Sequence, residues 1–135
     1  MRVRGLELLF LEVNNLEESL DFYRLGLGFE LEAHAPEAEP PMATLSAGGL
    51  RLMLAQVPLA MARRGRGVHF FLTVEDVDEF YDFVRAGSIQ LAPPADEGWG
   101  GRFVTLADPV LYRLFFVAWH DEGARPGGGA PGLWN

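Results

Sequence analysis

Apolar positions in this chain come in short blocks of two periodicities. Leu6–Val13 and Val68–Val74 are brief, mostly apolar and rich in residues that suit a pleated surface, so each predicts a buried strand. Asn15 and Asp76 follow these blocks, and Glu18 and Glu79 lie three residues further on. That is capping-box spacing: the Asn or Asp side chain accepts from the third helical N–H while the Glu reaches back. Leu16, Leu20, Tyr23 and Leu27, and later Val77, Phe80, Tyr81 and Val84, then recur at helical spacing. Gly26 and Gly28 close the first helix and Gly87 the second. Three short apolar stretches follow each helix: Phe29–Ala33, Met42–Leu45 and Leu50–Ala55, then Ile89–Ala92, Arg102–Leu106 and Leu111–Ala118. Pro36, Pro40 and Pro41 in one half, and Pro93, Pro94 and Gly98–Gly101 in the other, mark the longer loops.

The two halves are copies. Shifting the chain by 61 residues lays Phe10–Arg24 on Phe71–Arg85, with Phe, Leu, Val, Glu, Asp, Phe and Arg in coincidence. A shift of 62 lays Arg51–Leu54 on Arg113–Phe116. The pattern predicts an α+β chain of two tandem βαβββ modules, residues 1–56 and 67–118. Residues 57–66, with Arg63, Arg64 and Arg66, read as a solvated linker, and 119–135 as a Gly/Pro-rich tail whose Leu133 and Trp134 could dock.

Composition narrows the chemistry. With 135 residues, 49% apolar and 22% charged, the chain can bury a core without disulfides or metals. Its net charge of −8 disfavours a grip on nucleic-acid phosphates. There is no cysteine, and every basic residue is arginine, so thiolate and Schiff-base chemistry have no nucleophile. Ser19, Ser46 and Ser88 lie outside any nucleophile elbow. Acid–base, metal-assisted and pure binding functions remain. The apolar run Leu8–Leu11, bounded by Glu7 and Glu12, is too short for a signal core or a membrane span, so the expectation is a cytoplasmic protein with no membrane partner.

The helix motif Asn15-Leu-Glu-Glu-Ser-Leu-Asp-Phe-Tyr-Arg-Leu-Gly-Leu-Gly-Phe-Glu-Leu31 and the segment Asp108-Pro-Val-Leu-Tyr-Arg-Leu-Phe-Phe-Val117 resemble the vicinal-oxygen-chelate superfamily. That superfamily includes glyoxalase I, extradiol dioxygenases, fosfomycin-modifying enzymes and bleomycin-resistance proteins. The resemblance covers about residues 3–118 and implies a cupped, barrel-like mixed sheet. It places the metal ligands of the metalloenzymes at Leu8, Met53, His69 and Phe115, where one imidazole stands among three apolar side chains. A hard divalent cation wants at least three N or O ligands, so no metal and no cofactor is expected.

Keeping the scaffold without these ligands resembles the bleomycin-resistance branch. Trp99-Gly-Gly-Arg-Phe-Val-Thr-Leu-Ala-Asp-Pro109 is similar to the Trp-bearing stretch of those proteins, which implies a ligand-stacking role for Trp99 and a crevice at a homodimer interface. Phe71 matches another crevice aromatic, whereas Thr73 stands where a further one would be. The turn Asp108-Pro109-Val110-Leu111-Tyr112 lacks the family's glycine and must be reshaped.

With the four anchors placed, strand alternation adds Phe10, Glu12, Arg51, Phe71, Thr73 and Arg113 to the same faces. Arg51 and Arg113 are repeat partners that could clamp a carboxylate or phosphate, or else reach solvent or pair with acids such as Glu12. His34 and His120 read as surface residues in or beside loops.

The implied function is non-catalytic sequestration of an aromatic or charged small molecule, with no catalytic residue. Phe10, Glu12, Arg51, Met53, His69, Phe71, Trp99, Arg102, Arg113 and Phe115 are the expected ligand-binding residues. The alternative is a metal-dependent lyase, isomerase or dioxygenase, or a metal-free enzyme using His69 and Glu12 as an acid–base pair.

Overall fold

Both expected caps form. In the computed structural model, which describes residues 2–59, 64–98 and 100–120, the Asn15 side chain accepts from the Glu18 N–H at 2.9 Å and that of Asp76 from the Glu79 N–H at 3.0 Å. Each cap residue is extended, so the chain turns from strand into helix there.

The first module runs β1 (Leu9–Val13), α1 (Leu16–Asp21), a π-helical turn (Phe22–Gly26), β2 (Glu30–Ala35), β3 (Met42–Ala47) and β4 (Leu50–Gln56). The second runs β5 (His69–Thr73), α2 (Val77–Ala86), β6 (Ala95–Asp96), β7 (Gly101–Ala107) and β8 (Arg113–Trp119). Each forms a four-stranded mixed sheet, in order β1-β4-β3-β2 and β5-β8-β7-β6. The strand opening each module pairs parallel to the strand closing it, and the other pairs are antiparallel. The chain is therefore α+β with two tandem βαβββ modules. No helix among the described residues is long and apolar enough to cross a membrane.

The chain divides into two compact units. The first extends to Arg64 and takes in Asp108–Leu111; the second begins at Gly65 and resumes at Tyr112. In the first, alternation sends Leu11, Val13, Leu52 and Leu54 to one face of the sheet, where they are buried with Leu16 and Leu20 of α1. The Gln56 side chain accepts from the Leu16 N–H at 2.8 Å, fixing the start of α1 to the end of β4. In the second unit, Leu114 and Phe116 of β8 and Val104 and Leu106 of β7 are buried, as are Val77 and Val84 of α2. Phe80 stacks on Phe116 with ring centroids 4.3 Å apart.

Asp108 joins the first unit through a buried hydrogen bond. The Tyr23 hydroxyl donates to Asp108 Oδ2 at 2.7 Å, and Asp108 Oδ1 accepts from the Val110 N–H at 3.0 Å.

The structure departs from the expected elements in several places. The stretch Ile89–Ala92 is not a strand; the pairing partner of β7 is Ala95–Asp96 instead. Ser88 takes a left-handed conformation (φ 70°), and Pro93-Pro94 have no N–H to give a ladder, so pairing starts beyond them. β1 starts at Leu9 rather than Leu6, and β2 runs on past Ala33 to Ala35, with His34 near its end. Arg64 is not solvated: it is 8% exposed, while Arg66 is exposed. Arg63 and the tail from Asp121, with Leu133 and Trp134, lie outside the described residues.

The turn expected to be reshaped for want of a glycine keeps a left-handed residue where the family has its glycine: Leu111 takes φ 72°, and β8 begins at Arg113. Leu111 is 55% exposed and loses little packing when truncated. Left-handed backbone costs a leucine about 1–2 kcal/mol, whereas glycine there costs about 0.5–1 kcal/mol in chain entropy. Leu111→Gly is accordingly expected to raise the melting temperature slightly. A lowered midpoint in a thermal melt would show that the Leu111 side chain contributes more by packing than its backbone loses.

Candidate ligand-binding faces

Each sheet has a helix-covered face and a face turned away from its helix, and the second kind carries most of the expected site residues. On the second sheet, His69, Phe71 and Thr73 of β5 lie opposite Arg113, Phe115 and Val117 of β8. On β7, Ala107, Thr105 and Phe103 pair with the same three β8 residues. Residues directly opposite in register point to the same side, so these form one face. Phe71 and Phe115 stack in parallel, with centroids 4.5 Å apart and planes 5° apart. His69 and Phe103 lean on Phe115 at 5.5 Å and 5.7 Å. Phe71 remains 42% exposed, so the stack offers an aromatic surface to solvent.

On the first sheet, Phe10 lies opposite Met53, and Met53 opposite Thr44. Phe10 is 52% exposed. Glu12 and Arg51 share this face, as the alternation requires, but the carboxylate and the guanidinium are each already engaged. Arg51 Nε lies 3.6 Å from Glu32 Oε1, where the β2–β3 register shifts between Leu31 and Ala33. Glu12 Oε1 accepts from Arg64 at 3.4 Å. Arg64 also donates to Asn14 Oδ1 at 2.9 Å and to the Val57 carbonyl. The chain after β4 thus returns Arg64 to the end of β1, which buries a side chain expected in solvent.

Arg102 is not part of the aromatic face. It alternates with Phe103 and points to the helix side, where Nε and NH2 hold both Asp78 carboxylate oxygens at 3.0 and 2.8 Å. Its NH1 reaches Asp96 Oδ2 at 3.0 Å, and His120 Nε2 lies 3.5 Å from the other Asp96 oxygen. His34 is likewise taken, by Glu17 at 2.9 Å. Trp99 lies outside the described residues.

The hydrogen bonds from Arg102 hold the Asp78 carboxyl below its ordinary range. A depressed carboxyl contributes stability above its unfolded-state pKa and loses it as pH falls through the folded-state value; exposure makes the contribution small. Arg102→Gln is expected to return the Asp78 titration toward the ordinary value of about 3.9. Carbon-detected NMR titration of the carboxyl checks this, and an unchanged midpoint would assign the depression to another group.

The positions at which the resemblance puts metal ligands do not fit a hard cation. Leu8 and Phe115 offer no donor, Met53 a soft thioether, and His69 one imidazole. Among the described residues, no three His, Cys, Asp or Glu side chains cluster as metal ligands would.

Phe103 and Arg64 are the residues that sequence reasoning missed. The signal for Phe103 is its alternation with Val104 and Leu106 on β7; for Arg64 no local signal exists, because its partners Glu12 and Asn14 lie far back in the chain.

The family model described as the Glyoxalase/Bleomycin resistance protein/Dioxygenase superfamily matches residues 5–114. A glyoxalase/bleomycin resistance protein/dioxygenase from Nocardioides is 28% identical, with a TM-score of 0.69 over 88% of this chain and 86% of that one. A glyoxalase/bleomycin resistance protein from Streptomyces sp. CB03234 is 23% identical, with a TM-score of 0.65 over 82% and 97%. The fosfomycin resistance protein FosX from Listeria monocytogenes, solved with Mn(II) and a dihydroxypropylphosphonic acid, is 17% identical, with a TM-score of 0.70 over 87% and 94%. No curated protein matches the sequence.

Proposed function

The chain belongs to the glyoxalase/bleomycin resistance protein/dioxygenase superfamily, and from that premise we propose that it binds a small organic molecule bearing a flat aromatic ring and releases it unchanged. The observation that supports this reading is the parallel Phe71–Phe115 stack, partly open to solvent on the second sheet. The exposed part of this pair is aromatic surface against which a further ring can pack, such a contact adding about 0.5–1.5 kcal/mol beyond the area it covers. Thr73 and Thr105, on the same face, supply hydroxyls that orient a polar substituent. The donor set at Leu8, Met53, His69 and Phe115 favours binding over metal-assisted chemistry. A homodimer belongs to the same proposal, and sedimentation at micromolar concentration distinguishes it from a monomer.

The test uses 2-naphthoate and isothermal titration. Saturable binding is expected, with the probe recovered intact and Phe71→Ala weakening it about tenfold, equivalent to about 1.4 kcal/mol. Reproducible conversion of the probe, or binding indifferent to Phe71, would overturn the reading.

A further inference from the structure

Charge is distributed unequally between the two module faces, and this bears on which aromatic molecule the second face takes. The chain carries 19 acidic residues against 11 basic ones. Yet β5 places His69, Phe71 and Thr73 on the aromatic face, β8 places Arg113, Phe115 and Val117 there, and β7 places Phe103, Thr105 and Ala107. Ala95 of β6, opposite Phe103, extends the same face. No aspartate or glutamate stands at any of these positions.

The first sheet is the built-in comparison. Its corresponding face carries Glu12 and Glu30, and Arg51, the repeat partner of Arg113, is neutralised by Glu32 at 3.6 Å. Among the described residues no acidic side chain pairs with Arg113, which is exposed at the start of β8 directly opposite His69. Two nitrogen-donor side chains therefore lie side by side on neighbouring strands, about 5 Å apart along the sheet. They stand one strand repeat, about 7 Å, from Phe71 and Phe115. A guanidinium on a flexible three-carbon stem covers that interval and offers a planar fork to a carboxylate or phosphonate.

We infer that the second-module face selects a planar aromatic monoanion, its ring on the Phe71–Phe115 stack and its anionic group held by Arg113 with His69 beside it. The inference rests on the binding reading above and adds the charge of the ligand. It runs against the net charge of −8, which by itself would draw cations. Contact between a guanidinium and an anion outweighs that diffuse field, because charges beyond about 8–10 Å are largely screened at ordinary salt while a pair at hydrogen-bond distance is screened less.

The experiment compares three probes of one shape on the full chain by isothermal titration: 2-naphthoate, neutral 2-naphthamide and cationic 2-naphthylmethylammonium. The naphthoate is expected to bind at least tenfold tighter than the amide, with the ammonium weakest. Arg113→Gln should abolish the difference between naphthoate and amide. Arg24→Gln, which makes the same change in net charge at an exposed position in the first unit, should leave the difference intact. Equal affinities for all three probes, a preference for the ammonium, or an anion preference that survives Arg113→Gln would overturn the charge inference while ring binding stands. Failure of all three probes to bind would overturn the binding reading and this inference with it.

Discussion

Replacing Phe116 by alanine is expected to destabilise the protein by about 3–5 kcal/mol, the range for deleting a fully buried phenyl ring. Phe116 is 2% exposed and stacked on Phe80 of α2, so truncation leaves a hole between sheet and helix. Its neighbour Phe115 lies on the opposite face of the same strand, stacked on Phe71. Period-two alternation thus puts two adjacent phenylalanines on different sides of the sheet, one packed against α2 and the other in the ring stack that the proposed function uses. Urea denaturation of Phe116→Ala measures the loss. A change below about 1 kcal/mol would mean that α2 collapses onto the gap, because the cavity term shrinks as surrounding atoms move in.

Tyr23→Phe is expected to cost about 2–3 kcal/mol, because a buried carboxylate deprived of a charge-assisted donor keeps its desolvation cost and loses more than an ordinary hydrogen bond. Tyr23 is 1% exposed and Asp108 2%, and the hydroxyl donates to the carboxylate at 2.7 Å. The loss is out of proportion to the single oxygen removed. Because Asp108 opens the Asp108–Leu111 turn, which packs with the first unit, hydrogen exchange at Val110 and Leu111 should rise in the same variant. Denaturation shows the energy and exchange shows the place. A loss below about 0.5 kcal/mol, under the usual range for an intramolecular hydrogen bond, would indicate that water replaces the phenol at Asp108.

Part of this site is legible in the order of residues. His69 and Phe71 share a face because they are two apart on a strand, and Arg113 and Phe115 do so for the same reason. Repeat symmetry supplies the further step that β5 and β8 occupy, in the second module, the places of β1 and β4 in the first. Arg102 is among the expected ligand-binding residues, yet alternation counted from Phe115 through its β7 partner Thr105 puts it on the helix side. Periodicity is the stronger guide there, since it follows from the pleat itself. The expected strand at Ile89–Ala92 does not form: the stretch lies between the left-handed Ser88 and Pro93-Pro94, and pairing with β7 begins beyond the prolines, at Ala95.

Spacing along the chain encodes the caps at Asn15 and Asp76, the helices they start, the alternation along each strand and the duplication of the whole module. Caps, helices and alternation depend on residues within a few positions of one another, and the duplication shows as a repeated pattern, so all of them are written in order alone. Which charges remain available is instead a product of the folded arrangement. Arg51 meets Glu32 through a shifted register between neighbouring strands, Arg64 is carried back to Glu12 and Asn14 by the chain after β4, and Arg102 is taken by Asp78 of α2. Arg113, with no acidic partner among the described residues, keeps its place beside the aromatic stack. Ion pairing between distant segments is set by register and chain return, which no local pattern of polar and apolar residues records.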